Sequence, residues 1–230
     1  LDYHQLFNPT KTVDIPESGI WGWYPNRDSL AYAKLYELEH ASTFIRTTLR
    51  HPDFIYGWKA LVDNGCTIHS SYDKTNLSYT AFFDLHFKNK NRDMKLENLL
   101  QFLGSKNEAL INKGVCTSDY ILQCIIEEKW ALQPTDKDMV LMMHDIQYTL
   151  QNKQHQIKSC LMVKGEDNVH TAMAKTVGLP LAIATILLLE GKLNVKGLHI
   201  PILPEIYNPI LKLLADQGIQ FKNYSYKENN

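Results

Sequence analysis

Apolar positions change period several times along the chain. Between Gly19 and Tyr24 they fall in a short extended run, which predicts a strand. From Leu30, with Ala33, Lys34 and Leu35 following at helical spacing, they predict a helix to about Leu38, capped by Asp28 or Ser29. Ser42–Leu49 is rich in β-branched residues and alternates, placing Phe44, Arg46 and Thr48 on one strand face. Pro52 opens a helix to about Asn64, and Gly65 stands where a helix-ending glycine belongs. The middle of the chain is polar with helical rhythm, predicting helices at 78–87, 95–103 and 118–131. Two β-rich runs meeting near residues 151–154 predict an antiparallel hairpin, with Met139, Met142 and Met143 on a packed face. A long helix is expected over 169–190, kinked at Pro180 and ended by Gly191, then a further helix and a last strand in "IQFKNYSY". The longest apolar run, around Leu179–Leu189, is about half a membrane span and reads as a buried helix. The fold class is therefore α+β, a mostly antiparallel sheet covered by helices with an added helical subregion at about 70–133.

Composition narrows the functional classes. The 24 Lys and Arg nearly balance the 25 Asp and Glu, so charge gives no case for nucleic acid or an anionic membrane. The four cysteines form no C-x-x-C pair and read as reduced thiols of a cytoplasmic-type compartment, with mitochondria also admitted. The start at Leu1, in a polar extended stretch, reads as a piece of a longer protein. The nine histidines are scattered, no metal-ligand spacing occurs, and P-loop, G-x-S-x-G and G-x-G-x-x-G motifs are all missing.

What remains is the strand that carries Arg46. A guanidinium fork projecting from a strand suits two-point capture of a carboxylate; the competing reading is a structural ion pair of Arg46 or Arg50 with Asp28 or Asp53. The turn Gly65–His69 offers backbone amides, a hydroxyl and an imidazole, or simply a helix C-cap loop. Trp21, Trp23 and Tyr24 read as packing or as an interface, and Lys175 as a surface residue.

Three blocks carry a family resemblance: "GWYPNRDSLAYAKLYELEHASTFIRTTLRHPDFIYGWKALVDNG", "DKDMVLMMHD" and "TAMAKTVGLPLAIATILLLEGKLNVKGLHIPILPEIYNPILKLLADQGIQF". In this order they resemble the saccharopine dehydrogenase (L-glutamate-forming) family, including the matching half of the bifunctional aminoadipic semialdehyde synthase. The resemblance implies that residues 1–230 form the C-terminal domain, for substrate binding and dimerisation. An N-terminal Rossmann domain outside this chain would bind NAD or NADP, so this chain alone would be inactive. It implies saccharopine as substrate, a homodimer, no metal, and carboxylate clamps holding the substrate C–H against the nicotinamide. By motif, Arg46 takes the substrate arginine's place. Thr67, Ile68 and His69 take the place of a later substrate-contacting turn, and Arg27 and Asp28 brace the site from behind; no general acid or base is assigned. A relative acting on another carboxyalkyl amine, such as carboxynorspermidine, and a non-catalytic oligomerisation module are the alternatives.

Overall fold

The computed structural model of the chain describes residues 3–26, 28–72, 77–88, 91–111 and 116–227. A 3-10 turn at Tyr3–Gln5 leads into β1 (Thr12–Ile15), β2 (Gly19–Pro25), α1 (Leu30–Leu35), β3 (Thr47–Arg50) and α2 (Pro52–Asp63). Then come β4 (Ser71–Tyr72), α3 (Tyr79–Phe87), α4 (Met94–Leu103), β5 (Cys116–Thr117) and α5 (Ser118–Lys129). The remainder is β6 (Met139–Leu150), β7 (Lys153–Lys164), α6 (Ala172–Leu189), α7 (Pro204–Asp216) and β8 (Lys222–Lys227). The sheets are small, β1-β2-β3, β4-β5 and β6-β7-β8, and the pairs β2–β3, β4–β5, β6–β7 and β7–β8 are antiparallel. This is the α+β class the sequence predicts. Two compact units result: Leu1–Asp14 with Ser18–Ala131, and Ile15–Glu17 with Leu132–Asn230.

In the first unit, β2 lies against β3 in a register from Gly22↔Arg50 to Pro25↔Thr47. Gly22 has a packing reason. A Cβ placed there would meet Ile55 Cγ1 at 2.7 Å, so the missing side chain lets α2 settle onto β2. Ile55 is fully buried with Phe7 and Val62 as a result. The helix α2 begins as predicted, with Pro52 in its first turn and the His51 imidazole accepting from Asp53 N–H. Its end is also as predicted: Asn64 caps it and Gly65 follows at φ +76°. The helices α3, α4 and α5 enclose a core centred on Phe82, Phe83, Phe87 and Leu100, into which Leu61 and Cys66 also pack. Each such phenylalanine contributes about 1.5–3 kcal/mol by leaving water.

Two early elements differ from expectation. The helix α1 stops at Leu35 rather than Leu38, because Glu37 takes φ +57° and Leu38 N–H returns to the carbonyl of Ala33 while Glu37 N–H bonds Lys34. That is a Schellman ending without glycine. The strand expected over Ser42–Leu49 forms only as Thr47–Arg50. Its partner β2 ends at Pro25, opposite Thr47, so the residues before Thr47 have no continuing ladder to join. One backbone bond, Asn26 N–H to the carbonyl of Arg46, continues the approach.

In the second unit, β6 and β7 form the predicted hairpin with twelve paired positions, from Met139↔Lys164 to Leu150↔Lys153. Its two-residue turn, Gln151–Asn152, has positive φ at both positions (52° and 61°), the backbone a tight right-twisted hairpin requires. Leu161 and Val163 bury against Ala172 with Val140 and Phe221 beside them, while Met139 and Met142 stay partly exposed. The start of α6 is tied to this sheet. The carboxylate of Asp138 accepts from Ala172 N–H (2.6 Å) and Met173 N–H (2.9 Å), and Thr171 Oγ1 accepts from Ala174 N–H. These bonds satisfy donors that a helix N-terminus leaves open. Gly165 makes room for them, since a Cβ there would stand 2.2 Å from Asp138 Oδ1.

The expectation of a buried helix over Leu179–Leu189 is overturned. Within α6 only Ala172 and Leu187 are buried, whereas Val177 (61%), Leu181 (70%) and Leu189 (83%) are exposed. The reason is geometric: α7 covers one side of α6, through Leu187 against Ile206, Ile210 and Leu214, and the apolar residues run round the whole helix. By length and composition α6 is apolar enough to cross a membrane.

Two predictions follow from these contacts. Gly165→Ala should push the Asp138 carboxylate off the α6 N-terminus and cost about 1–2 kcal/mol, the value of a lost cap, seen as a lower thermal midpoint; an unchanged midpoint would refute the capping account. The second concerns Asp167, which accepts from the N–H groups of His170 and Val169 and faces the His170 ring at 3.0 Å. Those bonds hold the Asp167 carboxyl down at about 2 and raise His170 above its ordinary value. The depressed carboxyl stabilises the fold above its unfolded value near 4 and loses this as pH falls toward 2. The raised imidazole stabilises below about 6.5 and loses this as pH rises through its folded value. An NMR titration should find His170 titrating above its ordinary value, and Asp167→Asn should bring it back.

Candidate functional site

Arg46 stands immediately before β3, exposed, with its backbone held by Asn26. Its guanidinium lies over the ring of Tyr32, 5.0 Å from the centroid. Tyr32 stacks on Tyr36, which touches Phe44, so a row of rings from α1 and the following loop supports the arginine. A planar, weakly hydrated guanidinium keeps its donor fork free when it lies on an aromatic face. The competing ion pair does not form: Arg46 and Arg50 have no carboxylate within ion-pair distance among the described residues. Asp28 instead accepts from Leu30 N–H at 3.0 Å, in the first turn of α1. Asp53 pairs with Lys95, whose ammonium is the chief cause of its lowered carboxyl value. Arg50 lies over Phe54 and donates to the carbonyl of Leu49. Arg27, the other residue expected behind the site, lies outside the described residues.

The turn after α2 is built by a different device. Residues Ser71 and Tyr72 pair with Thr117 and Cys116, and this ribbon brings His69 to the start of α5. There His69 Nδ1 meets Asp119 Oδ2 at 3.0 Å, while Ser70 Oγ and Ser118 Oγ lie 3.2 Å apart. The Asp119 carboxyl sits below its usual value, first through the Thr117 hydroxyl and next through His69. Thr67 is half-buried and Ile68 is exposed. Arg46 (held by Asn26 and Tyr32) and His69 (held by Asp119) have no bonded partner in common.

Sequence reasoning missed Tyr32 and Asp119. Tyr32 carried a faint signal, one turn before Tyr36 on a capped helix. Asp119, fifty residues from His69, carried none. The aromatics of β2 are packing: Trp21 Nε1 donates to Ser18 Oγ, Trp23 lies under Lys11, and Tyr24 meets Phe7 edge-on. Lys175 pairs with Glu166.

Thiol chemistry does not suit Cys66, whose pKa burial pushes up to about 12. No group of three His, Cys, Asp or Glu able to hold a metal occurs among the described residues. Among the described residues the positive-φ glycines stand singly at turns and helix ends, with no glycine-rich turn leading from a strand into a helix.

Comparison with known proteins gives the arrangement a family. The family described as Saccharopine dehydrogenase C-terminal domain matches residues 1–219. Bovine mitochondrial alpha-aminoadipic semialdehyde synthase is 30% identical over 224 residues, covering 88% of this chain and 24% of its own. Saccharopine dehydrogenase [NADP(+), L-glutamate-forming] is 26% identical in Schizosaccharomyces pombe, covering 96% of this chain and 55% of its own. The Saccharomyces cerevisiae enzyme of that name is 30% identical, covering 86% and 50%. The solved structure of apo saccharopine dehydrogenase (L-Glu forming) from S. cerevisiae superimposes with a TM-score of 0.80 at 29% identity, covering 94% of this chain and 54% of that one. This chain thus spans about half the length of the yeast relatives and about a quarter of the bovine one. It belongs to the saccharopine dehydrogenase C-terminal domain family.

Proposed function

We propose that this chain is the substrate-binding and dimerisation part of a saccharopine dehydrogenase. The assembled enzyme interconverts saccharopine and water with L-glutamate and 2-aminoadipate 6-semialdehyde, using NAD or NADP. The observation that carries the reading is the Arg46 guanidinium, exposed, laid on Tyr32 and without a carboxylate among the described residues. A substrate with three carboxylates supplies the partner this arginine lacks. Two parallel N–H to oxygen bonds then fix one end of it, so that binding energy is used for orientation.

In this reading the cofactor is held by a separate Rossmann domain of the assembled enzyme. The exposed apolar face of α6, with Val177, Leu181 and Leu189, supports the presence of such a partner domain, because that much unpartnered apolar surface marks an interaction site. The thiols of Cys66 and Cys160, unbridged among the described residues, suit a reducing compartment.

Joining or mixing the chain with a Rossmann half and following reduced nicotinamide absorbance with saccharopine tests the reading. Arg46→Ala should raise KM about 10- to 100-fold, the equivalent of losing one charge-assisted carboxylate contact of about 1.5–3 kcal/mol, with Arg46→Lys between. An unchanged KM removes Arg46 from the substrate site. In the same preparation, light scattering should return a dimer of two-part protomers. Leu181→Glu should leave this chain folded yet unable to join the Rossmann half; a variant that still assembles places the contact elsewhere.

A further inference from the structure

A cleft in the first unit, of about 330 Å³, is lined by His4, Gln5, Phe7, Asn8, Lys11 and Lys59. That volume lies at the lower end of small-ligand sites. Its charged groups are of one sign. Lys11 has no carboxylate within ion-pair distance among the described residues, and its ammonium is held 5.3 Å from the centroid of the Trp23 ring. Lys59 pairs with Asp63 one turn along α2, an exposed pair that water screens and that leaves further ammonium protons to donate. Asn8 adds a donor by elimination. Its Oδ1 already accepts from the backbone N–H and hydroxyl of Thr10, so the side-chain NH2 group is what it has left to offer. Phe7, only 6% exposed, forms an apolar base against Tyr24 and Trp58.

From this we infer that the cleft binds a small anion, a carboxylate or phosphate on a short body, through Lys11, Lys59 and the Asn8 amide. Two lysines and an amide donor on one cleft, with no carboxylate among its described lining residues, favour a negative charge. Lysine ammoniums act as point charges, so they recognise charge more than the planar shape an arginine fork selects. The inference is independent of the role given to Arg46.

The test is an NMR titration of the full chain with inorganic phosphate, with glutarate, and with neutral glutaramide. At least one of the two anions should shift the backbone signals of His4, Asn8, Lys11 and Lys59 and the Trp23 indole saturably; glutaramide should not. A response to phosphate alone, glutarate alone or both identifies the anion, and each supports the site. Lys11→Met with Lys59→Met should weaken binding about tenfold or more, and salt should weaken it in the unaltered chain. A matching fold, checked by thermal midpoint, separates lost binding from lost structure; if the double variant unfolds, Lys11→Met alone serves, with its own weakening as the readout. The inference is overturned if neither anion shifts these signals, or if glutaramide shifts them equally. It is also overturned if the lysine substitutions leave affinity unchanged, or if Arg46→Ala abolishes the response, which would place the anion at Arg46.

Discussion

The seating of α2 on β2 at Gly22 is the contact on which the first unit depends. With no side chain at Gly22, Ile55 approaches the strand closely enough to be fully buried, and β2 is fixed beneath α2. Because β2 sets the register of β3, the same contact decides where the ladder stops, at Pro25 opposite Thr47. Arg46 falls just past that stop. It is therefore tethered through its carbonyl but spared a place in the sheet, and its side chain leans on Tyr32. A glycine chosen for packing thus settles where a guanidinium meets solvent.

Much of the fold was legible because the deciding signals are local. Pro52, Gly65 and the regular apolar spacing between them bound α2 almost to the residue. The hairpin was equally readable, since two β-rich runs around a short polar turn leave few alternatives. The early stop of α1 is a local effect of Glu37, whereas the shortened β3 and the exposed α6 share another cause: both depended on partners distant in sequence. The strand before Thr47 was lost because its neighbour ended, and β-propensity without a pairing strand forms no ladder. The depth of α6 was misread because an all-round apolar helix announces burial without saying which body buries it.

The site divides the same way. Arg46 was readable as a guanidinium next to a strand, and its free fork is a property of side-chain type. Its support was not readable, because Tyr32 reaches it only after α1 turns back through the positive φ of Glu37. The pairing of His69 with Asp119 needed the two-residue ribbon β4-β5 to close a loop of fifty residues, and a ribbon so short leaves little periodic trace.

Arg46 and Arg50 on one side, and Lys11 and Lys59 on the other, stand in two different settings in the first unit, and the difference is chemical. Arg46 and Arg50 both lie on aromatic rings, where a planar cation loses little hydration and keeps directional donors. Lys11 also rests over a ring, yet it opens into a concave cleft with Lys59, where rounded charges sum without imposing an orientation. A flat fork on an exposed ledge selects by the shape of a carboxylate. A pair of ammoniums in a cleft selects by charge and size. The two features therefore ask for different ligands even though both attract anions, and one substrate need not account for both.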